Sequence, residues 1–168
     1  MATSGRLAIE DLPSGAPASV VIVDDEADLR LLIRLGLQGR DDFRVVGEGA
    51  DGNDAIALAE LHEPDVVLLD LNMPELDGRE AIVPILVRSP RSMVVVLSAL
   101  RAEAEAERLF EQGAFAFIEK GALVGSLADD LAALLDEFRR ALRGETVVAG
   151  HPAVRLAPDA RRLEGDQG

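Results

Sequence analysis

Four apolar residues in a row, Val66-Val67-Leu68-Leu69, run without a break into Asp70, and Asn72, Pro74 and Gly78 follow at once. An apolar run this short, half of it β-branched, reads as a strand buried on both faces, the kind that parallel sheets make. The residues after it read as a turn. The same device recurs along the chain: Val20-Val21-Ile22-Val23 ends in Asp24-Asp25-Glu26, Met93 to Leu97 ends at Ser98, and Phe115 to Glu119 ends at Lys120. Phe43 to Val46 reads as one more strand.

Helical stretches separate these runs. They are expected over Ala27 to Gly39, Gly52 to His62 (closed by Pro64), about Arg79 to Val87, Arg101 to Gln112, and Leu127 to about Leu142. Ser126, with Asp129 three residues on, resembles a capping box at the start of the last helix. Pro84 removes a donor and crowds the preceding turn, so a kink or a helix end is expected near it. At 100° per residue the first helix turns Leu29, Leu32, Ile33 and Gly36 to one face, with Leu31 and Leu35 nearly opposite. Strands and helices in strict alternation imply right-handed crossovers and an α/β fold: a five-stranded parallel sheet, doubly wound, in 2-1-3-4-5 order.

The boundaries expected are a flexible leader over 1–18, one domain over 19–143 and an irregular or disordered tail over 144–168. The leader holds Gly, Pro and Ser but no apolar stretch of the kind a signal peptide or membrane anchor needs. With no Cys in the chain, disulfides and thiolate-bound metals are excluded, and a cytoplasmic setting is the expectation. A net charge of −14 argues against broad contact with a phosphate backbone, hence against a nucleic-acid partner, and no run is long enough to span a membrane. Of the 17 basic residues, only Lys120 is not Arg. A compact ammonium kept at one place in an Arg-using chain suggests a site that needs a point charge.

In such a sheet the carboxyl ends of the strands share one rim, where open α/β sheets bind ligands. That rim gathers Asp24, Asp25, Asp70, Ser98 and Lys120. Carboxylates crowded together repel each other unless a cation joins them. Oxygen ligands of this kind suit a hard divalent ion, Mg²⁺ or Mn²⁺. A hydroxyl and one ammonium beside them suit phosphoryl oxygens, and an Asp can act as the nucleophile that forms an aspartyl phosphate.

With these residues the sequence resembles a response-regulator receiver domain (the CheY-like fold) from about Ser19 to Leu142. The resemblance makes Asp24-Asp25 the acidic pair, Asp70 the phosphoacceptor, Ser98 the switch hydroxyl and Lys120 the site lysine. Met73-Pro74 and Asp77-Gly78 match the loop after the phosphoacceptor. Phe117 falls at the aromatic switch position and Asn72 at the position whose backbone carbonyl joins the metal. Two residues depart from the family pattern. Gly121 stands where many receivers have a cis proline, so a trans bond is expected, and Leu100 cannot orient a hydrolytic water. The resemblance implies a bacterial two-component or phosphorelay response regulator that catalyses only its own phosphoryl transfer and dephosphorylation. Its partners would be a sensor histidine kinase or phosphotransfer protein and a downstream protein target, with the chain monomeric or forming a phosphorylation-dependent homodimer. It also implies that the first helix docks on the kinase, which would give the outward Leu31 and Leu35 a partner surface.

Other readings compete. The chain could be the receiver portion of a transcription factor, whose helix-turn-helix domain of about 60 residues would not fit the tail present. A metal-dependent aspartyl phosphatase would want a second Asp where Asn72 stands. Gly47-Glu48-Gly49-Ala50-Asp51-Gly52 fits the dinucleotide fingerprint G-x-G-x-x-G, but it follows the second strand and sets two acids against a pyrophosphate. His62 and His151 read as surface residues, Met73 as loop packing, and Glu103, Glu105 and Glu107 as a solvated helix face.

Overall fold

The computed structural model describes residues 15–99, 103–122, 125–145 and 154–156. The elements alternate as β1 (Ala18–Val23), α1 (Ala27–Gln38), β2 (Phe43–Gly49), α2 (Gly52–His62), β3 (Val66–Asp70), α3 (Gly78–Arg88), β4 (Met93–Ser98), α4 (Glu103–Glu111), β5 (Ala116–Glu119) and α5 (Leu127–Leu142). Five strands pair in parallel in the order 2-1-3-4-5. β3 and β4 are buried along their whole length, as their apolar runs require between two helical layers.

Each face of the sheet has its own core. On one, Ile22, Leu68 and Leu97 pack against Ile33 and Leu37 of α1 and Leu131, Leu134 and Phe138 of α5. On the other, Val23, Leu69 and Val96 pack against Ala55 and Ala59 of α2, Ile82 and Ile85 of α3, and Leu109 of α4. Phe115 meets Phe138 edge to face, ring centroids 5.0 Å apart.

Several local expectations need correction. The buried stripe of α1 is Ile33 and Leu37, with Leu29 half-buried, whereas Leu32 is 62% exposed and Gly36 is also exposed. An i, i+4 stripe one residue off the expected one seats the helix, because Leu37 rather than Gly36 supplies the next apolar contact. Leu31 and Leu35 do face outward, at 41% and 55% exposure. At the start of α5, Ser126 makes no cap to the backbone. Its Oγ donates instead to Asp130 Oδ2 at 2.7 Å, and Asp129 turns away to pair with Arg40. The helix α3 runs through Pro84 without ending there. The strand β2 extends past Val46 to Gly49, held by pairing with β1 through a register shift at Val20/Val21.

The tail also departs from expectation. Val154–Leu156 forms a sixth strand, β6, antiparallel to β5. His151, in the stretch before it, lies outside the described residues.

Candidate functional site

Parallel strands deliver their last residues to one rim. Asp24 follows β1, Asp70 ends β3, Ser98 ends β4, and Lys120 opens a 3-10 turn (Lys120–Ala122) directly after β5. Asp24, Asp70 and Ser98 are buried, while Asp25 is exposed. One carboxylate oxygen from each of Asp24, Asp25 and Asp70 falls within 4.8 Å of the others. The Lys120 ammonium lies 2.8 Å from Asp24 Oδ2 and 3.2 Å from Asp70 Oδ1. All five residues singled out by the alternation therefore meet at this rim.

The backbone tightens this arrangement. Asp24 Oδ1 accepts from the Glu26 N–H at 2.9 Å, and the Arg30 guanidinium donates to the Asp24 carbonyl. Asp70 Oδ1 accepts a long bond from the Asn72 N–H, 3.3 Å. The Lys120 ammonium forms an ion pair with Asp24 Oδ2, and Asp70 Oδ2 is buried without any hydrogen-bond partner among the described residues. One ammonium thus serves two buried carboxylates, with a third at the margin. Burial, reinforced by the Asp24 charge, pushes the Asp70 carboxyl up to about 6, against the opposing pull of Lys120 and the Asn72 N–H. Burial works against the charge on Lys120, but the pull of Asp24 and Asp70 outweighs it and leaves the ammonium's pKa raised.

The loop after β3 is pinned by close packing. The Gly78 N–H donates to the Leu71 carbonyl at 3.0 Å, and a Cβ at Gly78 would stand 2.1 Å from the Asp70 carbonyl oxygen, so only glycine fits. Asp77 caps α3 by accepting from the Glu80 N–H, and Met73 is buried beneath the loop. The competing glycine motif is explained by packing. A Cβ at Gly49 would lie 2.7 Å from Asp54 Cβ and one at Gly52 would lie 2.6 Å from the Leu76 carbonyl, while Asp51 caps α2. The motif makes a strand-to-helix turn, with no cradle left for a pyrophosphate.

These features match a known family. The response regulator receiver domain family matches residues 20–132, more than half of the chain. The chain belongs to that family. Transcriptional regulatory protein PdtaR of Mycobacterium tuberculosis is 34% identical over 137 residues, covering 80% of this chain and 66% of that protein. Response regulator protein VraR of Staphylococcus epidermidis is 35% identical over 137 residues, covering 82% and 62%. This receiver chain therefore spans about two-thirds of the length of those relatives. Among solved structures, the response regulator domain of Thermotoga maritima CheB superposes with a TM-score of 0.62 at 29% identity, over 77% of this chain and 99% of that one. The receiver domain of the response regulator NarL from Mycobacterium tuberculosis gives 0.67 at 28%, over 71% and 97%. No helix among the described residues is long and apolar enough to cross a membrane.

Within the receiver, Phe117 sits in β5 and is buried against the α2–α3–α4 side of the core. Leu100, read from sequence as unable to orient a water, lies outside the described residues. Glu107 is exposed, but Glu105 pairs with Arg79 at 2.7 Å and ties α4 to α3. His62 is exposed. Sequence reasoning assigned no role to Glu26, 3.8 Å from the Lys120 ammonium, or to Arg30. Glu26 directly follows the acidic pair, and Arg30 is four residues further along α1, so helical spacing was the available signal.

Proposed function

We propose that this receiver takes a phosphoryl group from the histidine of a sensor kinase or phosphotransfer protein onto Asp70 and signals by a change in protein–protein contacts. The observation that supports it most is the buried Asp70 carboxylate, with one oxygen unpartnered among the described residues and the other held by Lys120. A carboxylate oxygen attacks phosphorus, the bond from phosphorus to the donor imidazole breaks, and the imidazole leaves with the electron pair. Lys120 already spans Asp24 and Asp70, so its charge is placed to follow phosphoryl oxygens. Ser98, buried at the end of β4, and Phe117 in β5 would respond to the new charge. Three hard-oxygen donors within 4.8 Å fit a divalent ion, and Asp24, Asp25 and Asp70 with the Asn72 carbonyl would hold Mg²⁺ or Mn²⁺. That ion would neutralise charge on the transferred group.

Uptake of phosphoryl label from acetyl phosphate tests this reading. Uptake should require Mg²⁺ and vanish in Asp70→Asn. A mutant that still takes up label at the same stoichiometry would overturn it.

On the kinase side, Leu31 and Leu35 form an exposed i, i+4 strip on α1. A groove of about 430 Å³, lined by Leu29, Leu32, Ile33, Leu127 and Lys120, runs between α1 and the start of α5. Together they suit docking of a helix from the phosphodonor. Replacing Leu31 and Leu35 with Gln should slow transfer from the cognate kinase at least tenfold, about 1.4 kcal/mol, and leave uptake from acetyl phosphate intact. Equal loss of both would mean that the leucines support the fold.

A second reading is favoured by the relatives' names. PdtaR is named a transcriptional regulatory protein, and this chain matches only 66% of it. A longer protein containing this receiver would then act on DNA through another domain. The acidic receiver itself is unsuited to DNA, and a DNA-binding assay on the full-length protein separates the two readings.

A further inference from the structure

The sheet has two outer edges, and the chain protects them differently. The β2 edge protects itself: β2 carries exposed Arg44 and Glu48 and pairs with β1 through a register shift. Charges and irregularity of this kind discourage a further strand from adding. The outer residues of β5, Ala116-Phe117-Ile118, are uncharged and buried and pair with β4 in unbroken register, so without a further strand their outward backbone groups would be left open. β6 lies on that edge, with Ala116 opposite Leu156, Phe117 opposite Arg155 and Ile118 opposite Val154. The strand directly beneath it ends at Glu119, next to Lys120.

We propose that Val154–Leu156 is a cis-acting guard strand: it closes the β5 edge to pairing with an extended partner segment and is released when Lys120 changes partners. The three-residue strand is the shortest in the sheet, so its ladder is the easiest to lose. Among the described residues its only sheet neighbour is β5, whose far end is anchored through Lys120 to Asp24 and Asp70. A phosphoryl group on Asp70 would draw Lys120 to new oxygens and shift the strand that carries β6. By linkage, β6 on its edge favours the arrangement in which Lys120 bridges the two carboxylates. The coupling rests on the proposed phosphorylation of Asp70, whereas the guard role does not.

The test is amide hydrogen exchange on the full chain. Arg155→Pro, and separately Val154→Pro with Leu156→Pro, remove donors in the two phases of an antiparallel ladder, so one of them breaks it. Exchange at 116–118 should rise about tenfold or more in that variant, with β1 and β3 unchanged. No change at 116–118 in either variant would overturn the guard role. With acetyl phosphate and Mg²⁺, exchange at 154–156 should rise about threefold or more in the wild type but not in Asp70→Asn. Unaltered exchange in protein whose mass shows an added phosphoryl group would overturn the coupling. A chain that takes up no phosphoryl group would refute the reading of Asp70, and the proline variants would then decide the guard role alone.

Discussion

At the amino end of the sheet, Asp65 accepts from the Ser19 N–H at 2.7 Å and from the Ser19 hydroxyl at 3.1 Å, and it returns its own N–H to the Ser19 Oγ at 3.0 Å. Nearby, the buried Ser92 hydroxyl donates to the Pro64 carbonyl and lies 2.7 Å from Ser89 Oγ. At the carboxyl end, some 20 Å away by the rise of a six-residue strand, two buried aspartates share a single ammonium and one carboxylate oxygen has no partner among the described residues. The same strands carry both ends, so strand geometry does not account for the difference. Buried polar groups that find partners lock a structure together, and those left short of partners cost stability unless a ligand completes them. The polar groups of the amino rim find partners within the chain, whereas the carboxyl rim keeps a buried carboxylate oxygen with no partner among the described residues, which supports the proposed role of that rim in taking a ligand.

The largest expected effect comes from removing the Asp70 charge. In metal-free protein, Asp70→Asn should stabilise the fold by about 1–3 kcal/mol at pH 7.5, because a carboxyl raised from 3.8 to about 6 is held charged at a cost. The sign follows from proton binding. Between those values the folded chain keeps a proton that the unfolded chain has lost, so wild-type stability falls as pH rises, and the loss is complete above about 6. The advantage of the mutant should therefore shrink as pH falls and vanish below about 4, as measured by denaturant titration across pH. An advantage independent of pH would break the comparison.

A smaller and opposite effect is expected at the other rim. Ser92→Ala leaves the Pro64 carbonyl and Ser89 hydroxyl each short of a partner, for a loss of about 1–2 kcal/mol. Phosphoryl uptake should be unchanged. A Ser92 mutant with wild-type stability would show that the amino rim is not the finished end.

The order of strands and the members of the carboxyl rim were legible because each rests on a strong local signal. Apolar runs that stop at a charged or hydroxyl residue fix both the strand and its end, and parallel pairing brings the ends together. What was missed depends on weaker or remote signals. The face of α1 turns on one residue's difference in phase, and Leu37 outcompetes Gly36 only once the sheet is there to pack against. The Ser126 cap lost to a side-chain contact with Asp130, and Asp129 is drawn off by Arg40 from the loop between α1 and β2. Three residues of β6 carry no readable period, and their partner is the edge of β5, far back in the chain. Glu48 was read as a charge in a nucleotide motif, whereas it pairs with Arg34 at 2.7 Å across from α1.

The central claim is that the carboxyl rim is left incomplete for a divalent cation and a phosphoryl group. A titration of metal-free protein with Mg²⁺, followed by backbone amide shifts, tests it most directly. Saturable shifts should centre on Asp24, Asp25 and residues 70–72, leave Ser19, Asp65, Ser89 and Ser92 still, and disappear in Asp70→Asn. Shifts that persist in that mutant, or that fall on both rims alike, would contradict the account.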